Sequence, residues 1–219
     1  MKTAILVDGG FYRRRALKCL GSASANDRAN ELIAYCWRHL KWHDEEEHDL
    51  YRIFYYDCEP LSIQVYHPFL KKNVDLSKSG TYQWSYDFYS ALKTKRKVAL
   101  RMGEMSAVSA KIVLKDKVQK KLFQGTIAFD DLKESDFVFK ADQKGVDMKI
   151  GLDIASLAYK KQVDQIVLIS GDADFVSASK LARREGIDFI LDPLYANIKP
   201  SLNEHIDGLR TCDTRFNLR

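Results

Sequence analysis

The chain has little of what builds a loop-rich, exported or membrane-bound protein. Its 219 residues include only 4 Pro and 11 Gly, too few for long flexible linkers. No apolar run approaches the roughly 20 residues of a membrane span, so no membrane partner is expected. The N-terminus, "MKTAILVDGG", carries one Lys and a short apolar run that meets an Asp almost at once. It reads as a strand rather than a signal peptide. The four cysteines, Cys19, Cys36, Cys58 and Cys212, are widely spread with no CxxC pair, which excludes a zinc ribbon and a dithiol redox motif. Without an export signal, a cytoplasmic location with reduced thiols is the expectation. Internal repeats and low-complexity tracts are also missing.

What is present is ordinary for a soluble globular protein: 46% hydrophobic and 30% charged residues. The net charge of +5 is a mild hint of a polyanionic partner and decides nothing alone. "TAILVDGG" (3 to 10) predicts a buried strand, and "FYRRRALKCL" a helix after it. Ala29, Leu32, Ile33, Cys36, Trp37 and Leu40 fall at helical spacing and form one apolar face. "YRIFYYD" (51 to 57) predicts a second strand and "KVALRMG" (97 to 103) a third, after a helix near 82 to 96. The last third alternates clearly. "DFVFK" is a strand, 144 to 161 a helix, "QIVLIS" a strand, 173 to 186 a helix, and "IDFILD" a strand stopped by Pro193. This β-α-β-α-β order implies a Rossmann-like, three-layer α/β/α fold with a mainly parallel central sheet. A single domain over 1 to 219, with a hairpin or insertion at about 104 to 135, is the simplest organisation. Dimerisation through that middle segment is an open alternative to which no particular residue points.

In an open parallel sheet, sites gather at the carboxyl ends of the strands. Asp8 ends the first strand, Asp172 and Asp174 follow "QIVLIS", and Asp192 ends the last strand. Asp147 lies in the first turn of the helix after "DFVFK", three residues before Ile150 and so on its inward side. Converging carboxylates repel unless their pKa values rise or a cation binds. Hard oxygen ligands select Mg²⁺ or Mn²⁺, which suit metal-assisted phosphodiester hydrolysis. Each acid also has a plain structural reading: Asp172 or Asp174 as a helix cap, Asp147 as a complement to the helix dipole, Asp8 as a turn residue. Their coincidence on one edge is what favours a site.

The residues "ILVDGGFY", "KGVDMKIGLDI" and "VLISGDADFVSASKLARREG" resemble the NYN domain, a member of the PIN-like nuclease superfamily found in the LabA-like group of bacterial proteins. The resemblance covers 3 to 57 and 137 to 194. It implies a PIN-like fold and a Mg²⁺- or Mn²⁺-dependent endoribonuclease acting on RNA. It also implies Asp8, Asp147, Asp172 and Asp174 as the catalytic metal ligands, with Asp153 as a structural or outer acid. Many NYN domains carry an Asn soon after the first Asp; this chain has Phe11 and Tyr12 instead.

Cations would be needed around such an acidic centre to hold flanking phosphates. Arg13, Arg14 and Lys144 are the candidates, with Ser170 beside the acids; Arg15 belongs to the same run. Solvation of exposed faces explains most of the other Lys and Arg. Phe11 or Tyr12 could stack on bases, although core packing suits Phe11 better. His39 and His43, with His48 beyond them, have zinc-pair spacing but lack a third ligand, so an exposed helix end accounts for them. Two rival functions remain: a haloacid-dehalogenase-like phosphatase using Asp-x-Asp, and a regulatory module that binds RNA or nucleotide without cutting it.

Overall fold

In the computed structural model, which describes residues 1–41 and 48–218, the apolar runs assemble into one seven-stranded sheet. The first half supplies strand β1 (Lys2–Asp8), helices α1 (Gly9–Leu20) and α2 (Ala25–His39), and strand β2 (Asp49–Cys58). A small antiparallel hairpin, β3 (Gln64–His67) with β4 (Lys72–Asp75), precedes α3 (Gly80–Lys93) and β5 (Val98–Met105). The middle contains β6 (Lys111–Leu114), α4 (Asp116–Phe123), β7 (Phe137–Lys140) and the two-residue β8 (Gln143–Lys144). The remainder is α5 (Val146–Tyr159), β9 (Gln165–Ile169), α6 (Val176–Arg184), β10 (Asp188–Asp192), α7 (Pro200–Asn203) and β11 (Gly208–Leu209).

The strand order is β11-β10-β9-β1-β2-β5-β8, with every pair parallel except β5 and β8. Parallel pairing requires helices on both faces, and strands buried on both sides lose polar alternation. β9, with all five residues buried, shows this directly. Alternation instead sorts the strand side chains between two cores. Ile5, Val7, Tyr55, Val167, Ile169 and Ile190 pack under α1, α2 and α3. Ala4, Leu6, Tyr56, Leu168 and Leu191 pack under α5 and α6. The result is a three-layer α/β/α fold, the class read from the sequence.

Three local expectations are corrected. "DFVFK" does not enter the main sheet. As β7 it pairs antiparallel with β6 in a separate two-stranded sheet, leaving the short β8 to reach β5. On α2, Tyr35 rather than Trp37 faces the core: Leu32, Tyr35, Cys36 and His39 are buried, whereas Trp37 is half exposed. Burying an aliphatic side chain such as Leu32 contributes on the order of 1.5–3 kcal/mol. That exceeds what an exposed ion pair on the outer face supplies, so this stripe sets how α2 docks. Tyr12 is completely buried and cannot stack on a base.

Asp192 is the fourth strand-end acid, and it turns away from the others. It shares the parity of Ile190, so it points toward α2 rather than α5. There it is fully buried and accepts hydrogen bonds from Tyr35 Oη, Thr211 Oγ1 (2.7 Å) and the Leu194 amide (2.8 Å). His39 Nε2 lies 2.9 Å from Asp192 Oδ2. His39 is therefore a buried core residue rather than part of an exposed helix end, and it is unavailable to zinc. His43 lies outside the described residues. Burial pushes the His39 imidazole down, but the Asp192 bond and nearby Cys212 outweigh it and hold its pKa up at about 9.

A raised folded-state pKa stabilises fully below the ordinary histidine value of about 6.5, and this contribution is lost as pH rises through the folded value. Urea unfolding at a series of pH values is expected to show a loss of roughly 3 kcal/mol between about pH 6.5 and 9. His39→Gln should flatten that slope. An unchanged slope in the variant would remove His39 as its cause.

Candidate active site at the carboxyl edge of the sheet

The edge is built by the pairing of β1 with β9. Their register sets Val7 beside Ile169, so the next residues, Asp8 and Ser170, adjoin. Ser170 is fully buried, and its Oγ donates to Asp8 Oδ2 at 3.1 Å. The other oxygen, Asp8 Oδ1, accepts from the Phe11 amide at 3.0 Å and caps α1. Gly9 allows α1 to start this close to the sheet: a Cβ there would lie 2.5 Å from the Tyr55 ring and 2.6 Å from the Tyr56 carbonyl oxygen. Asp8 thus combines a cap with a fixed position at the strand end. Burial is the main reason its carboxyl is raised above the usual range. Asp147 adds to the shift, whereas the Phe11 and Ser170 bonds and the charge of Arg14 oppose it.

Asp172 also caps, but a shorter element. Its Oδ1 accepts from the Asp174 amide at 3.0 Å at the head of a 3₁₀ turn, Ala173–Phe175, that leads into α6. Asp174 has no cap role and is exposed. Asp147 occupies the first turn of α5, just after Gly145, which adopts φ +80°. The inward position expected for Asp147 is corrected: it is exposed. The buried stripe of α5 runs through Val146, Ile150, Ile154 and Leu157, and Asp147 sits on its flank. Its carboxyl is raised first by partial burial and then by the charges of Asp172 and Asp174. Acids from three chain segments therefore share one electrostatic field. Even so, among the described residues no three His, Cys, Asp or Glu side chains stand where they could hold a metal ion directly.

The remaining candidates divide. Asp153 accepts from Tyr56 Oη at 2.8 Å and pairs with Arg101 at 3.1 Å, so it anchors α5 to β2 and β5. Arg13 is committed to Asp57 at 2.9 Å and donates to Ser85 at 3.4 Å. Arg15 donates to the carbonyls of Leu194 and Phe216. Arg14 and Lys144 are exposed, and neither has an ion pair among the described residues. Ser170 faces Asp8 rather than solvent. Lys144 reaches the edge because Gly103 lets β8 close on β5: a Cβ there would meet the Lys144 carbonyl oxygen at 2.6 Å. Sequence reasoning missed Gln143, whose Oε1 lies 3.6 Å from the Cβ position of Gly10. No sequence signal marks it, since it reaches α1 only through the β8 crossing.

The NYN domain family profile matches residues 72–199, which is more than half of the chain. This chain belongs to the NYN domain family. The match takes in Asp147, Asp172 and Asp174 of the NYN domain, along with its middle segment, and starts after the Asp8 strand. A solved structure of a protein of unknown function from Vibrio parahaemolyticus is similar over 98% of this chain and 94% of its own, with 16% identity and a TM-score of 0.48. No curated protein matches. No helix among the described residues of this NYN domain is long and apolar enough to cross a membrane.

A raised carboxylate costs the fold stability once it ionises, because the unfolded chain gives up that proton more readily. Asp147→Asn is therefore expected to raise the thermal midpoint at neutral pH, by little because solvent screens an exposed carboxylate. The advantage should shrink as pH is lowered toward about 4. A lowered midpoint at neutral pH would show that Asp147 stabilises its surroundings instead.

Proposed function

We propose that this NYN domain is a divalent-metal-dependent endoribonuclease that hydrolyses RNA phosphodiesters at the Asp8–Asp147–Asp172–Asp174 edge. The observation that carries this reading is the electrostatic coupling of Asp147 to Asp172 and Asp174, and of Asp8 to Asp147. That coupling joins three chain segments distant in sequence, which supports a shared site. Membership of the NYN family supports the same class of activity.

The donor set fits a small hard cation, because every ligand offered is a carboxylate oxygen. Among the described residues no three carboxylates stand in ligating positions, so the proposed ion is one that keeps several of its waters, as Mg²⁺ commonly does. Asp8, Asp147, Asp172 and Asp174 would hold it. When bound, such an ion acts as a Lewis acid and lowers the pKa of water.

The chain's own residues do the rest. Ser170 and the Phe11 amide keep both oxygens of Asp8 in place. Arg14 and Lys144, uncommitted and exposed beside the acids, bind the phosphates on either side of the cleaved bond. Arg13 is already neutralised by Asp57, so it contributes to shape more than to charge. The haloacid-dehalogenase-like alternative draws no support from the family match. A non-cleaving RNA-binding module is the second reading, favoured because the described residues hold no preformed ligating group.

Single-stranded and structured RNA should be cut in Mg²⁺ or Mn²⁺ and left intact in EDTA. Asp172→Asn should lower the rate by about a hundredfold or more. RNA bound tightly but uncut with either metal would replace the nuclease by the binding module. Equal cutting by wild type and Asp172→Asn would remove the acidic edge from the reaction.

A further inference from the structure

Beside the acidic edge, α1, α3 and the turn at 21–23 line an open pocket of about 490 Å³. This volume lies in the range of small-molecule pockets. Its wall at Gly10 adjoins Asp8: the Cβ position of Gly10 lies 3.4 Å from Arg14 Nη1 and 3.6 Å from Asp8 Oδ1. Three guanidiniums line the cavity, and two of them are compensated, Arg13 by Asp57 at 2.9 Å and Arg28 by Glu31 at 2.6 Å. Arg14 makes no ion pair among the described residues, and its charge acts on the neighbouring Asp8. The cavity therefore carries one guanidinium that no ion pair holds, at the end that adjoins Asp8.

Trp84 supplies an aromatic surface to the same cavity. Phe88 stacks on it with ring centroids 5.1 Å apart and planes within 9°. The indole N–H donates to the Ala23 carbonyl at 2.9 Å. Held at two points, the ring needs no ordering when a ligand arrives. Gly80, at the head of α3, leaves the wall open, since a Cβ there would meet nothing within 4 Å. A simple anion would use the guanidinium and leave the ring and most of the volume unfilled. A planar base joined to a phosphate uses all three.

We infer that this cavity binds one unpaired nucleotide of the RNA substrate, its base against Trp84 and its phosphate on Arg14, next to the acidic edge. The identity of the substrate rests on the nuclease reading above; the shape and charge of the pocket do not. A base locked in a duplex cannot enter such a pocket, whereas a splayed single-stranded base can. Stacking tolerates any base, so the pocket selects unpaired RNA more than a particular sequence.

The test is calorimetric binding of adenosine 5′-monophosphate, adenosine and inorganic phosphate, all in EDTA so that no cleavage is involved. The monophosphate should bind more tightly than either fragment. Arg14→Ala should weaken it about tenfold, and Gly80→Phe should weaken it by obstructing the wall without disturbing the fold. Monophosphate affinity indifferent to both Arg14→Ala and Gly80→Phe, or no better than that of inorganic phosphate, overturns the inference. If RNA is cut in an Asp172-dependent manner while monophosphate binding ignores Arg14, the pocket fails and the nuclease stands. If binding depends on Arg14 but RNA is never cut, the pocket stands and the nuclease fails.

Discussion

The pairing of β1 with β9 is the constraint on which the rest depends. Both strands are buried on both faces, so they must lie inside the sheet, and their parallel register sets Val7 beside Ile169. One step further along each strand lie Asp8 and Ser170. A one-residue slip would exchange the two core faces of the slipped strand, putting Leu6 under α1 and Val7 under α5. Hydrophobic packing thus positions a polar hydrogen bond that it does not itself contain, and the acids of the following turns inherit that position.

The carboxylates at this edge carry two loads. Asp8 and Asp172 satisfy amides that would otherwise be orphaned at the starts of their helical segments, so their placement is stabilising in local terms. Collectively, Asp8 and Asp147 are raised by burial and by like charge, which works against the folded state at neutral pH. The opposite arrangement occurs on the other face of the sheet. There Asp192, equally a strand-end acid, is fully matched by Tyr35, Thr211, the Leu194 amide and His39. One acid is built into the fold, while on the other face Asp147 is raised by burial and by the charges of Asp172 and Asp174. That contrast separates a structural carboxylate from functional candidates better than exposure alone.

Much of this was legible beforehand. The parallel sheet and the strand-end positions of Asp8, Asp172 and Asp174 follow from apolar runs and turn residues. Even the diversion of Asp192 was implicit in its parity with Ile190. Other features were not readable in this way. Tyr35, His39 and Thr211 meet Asp192 across separations of 157, 153 and 19 residues, and nothing local records such pairings. The arginine run gives no hint that Arg13 is spent on Asp57 and Arg15 on two carbonyls, while Arg14 is exposed and acts on Asp8. The apolar "DFVFK" has the composition of a core strand, yet its partner β6 draws it out of the sheet.

The sequence by itself determined the fold class and the set of acids available at the sheet edge, because periodicity and strand-end position are local properties of the chain. Only the tertiary structure decided which charges are compensated, which arginine of the run stays exposed, and that a cavity holding Trp84 opens beside Asp8. Those outcomes depend on contacts between segments far apart in sequence, and their geometry exists only once the two cores have closed around the sheet.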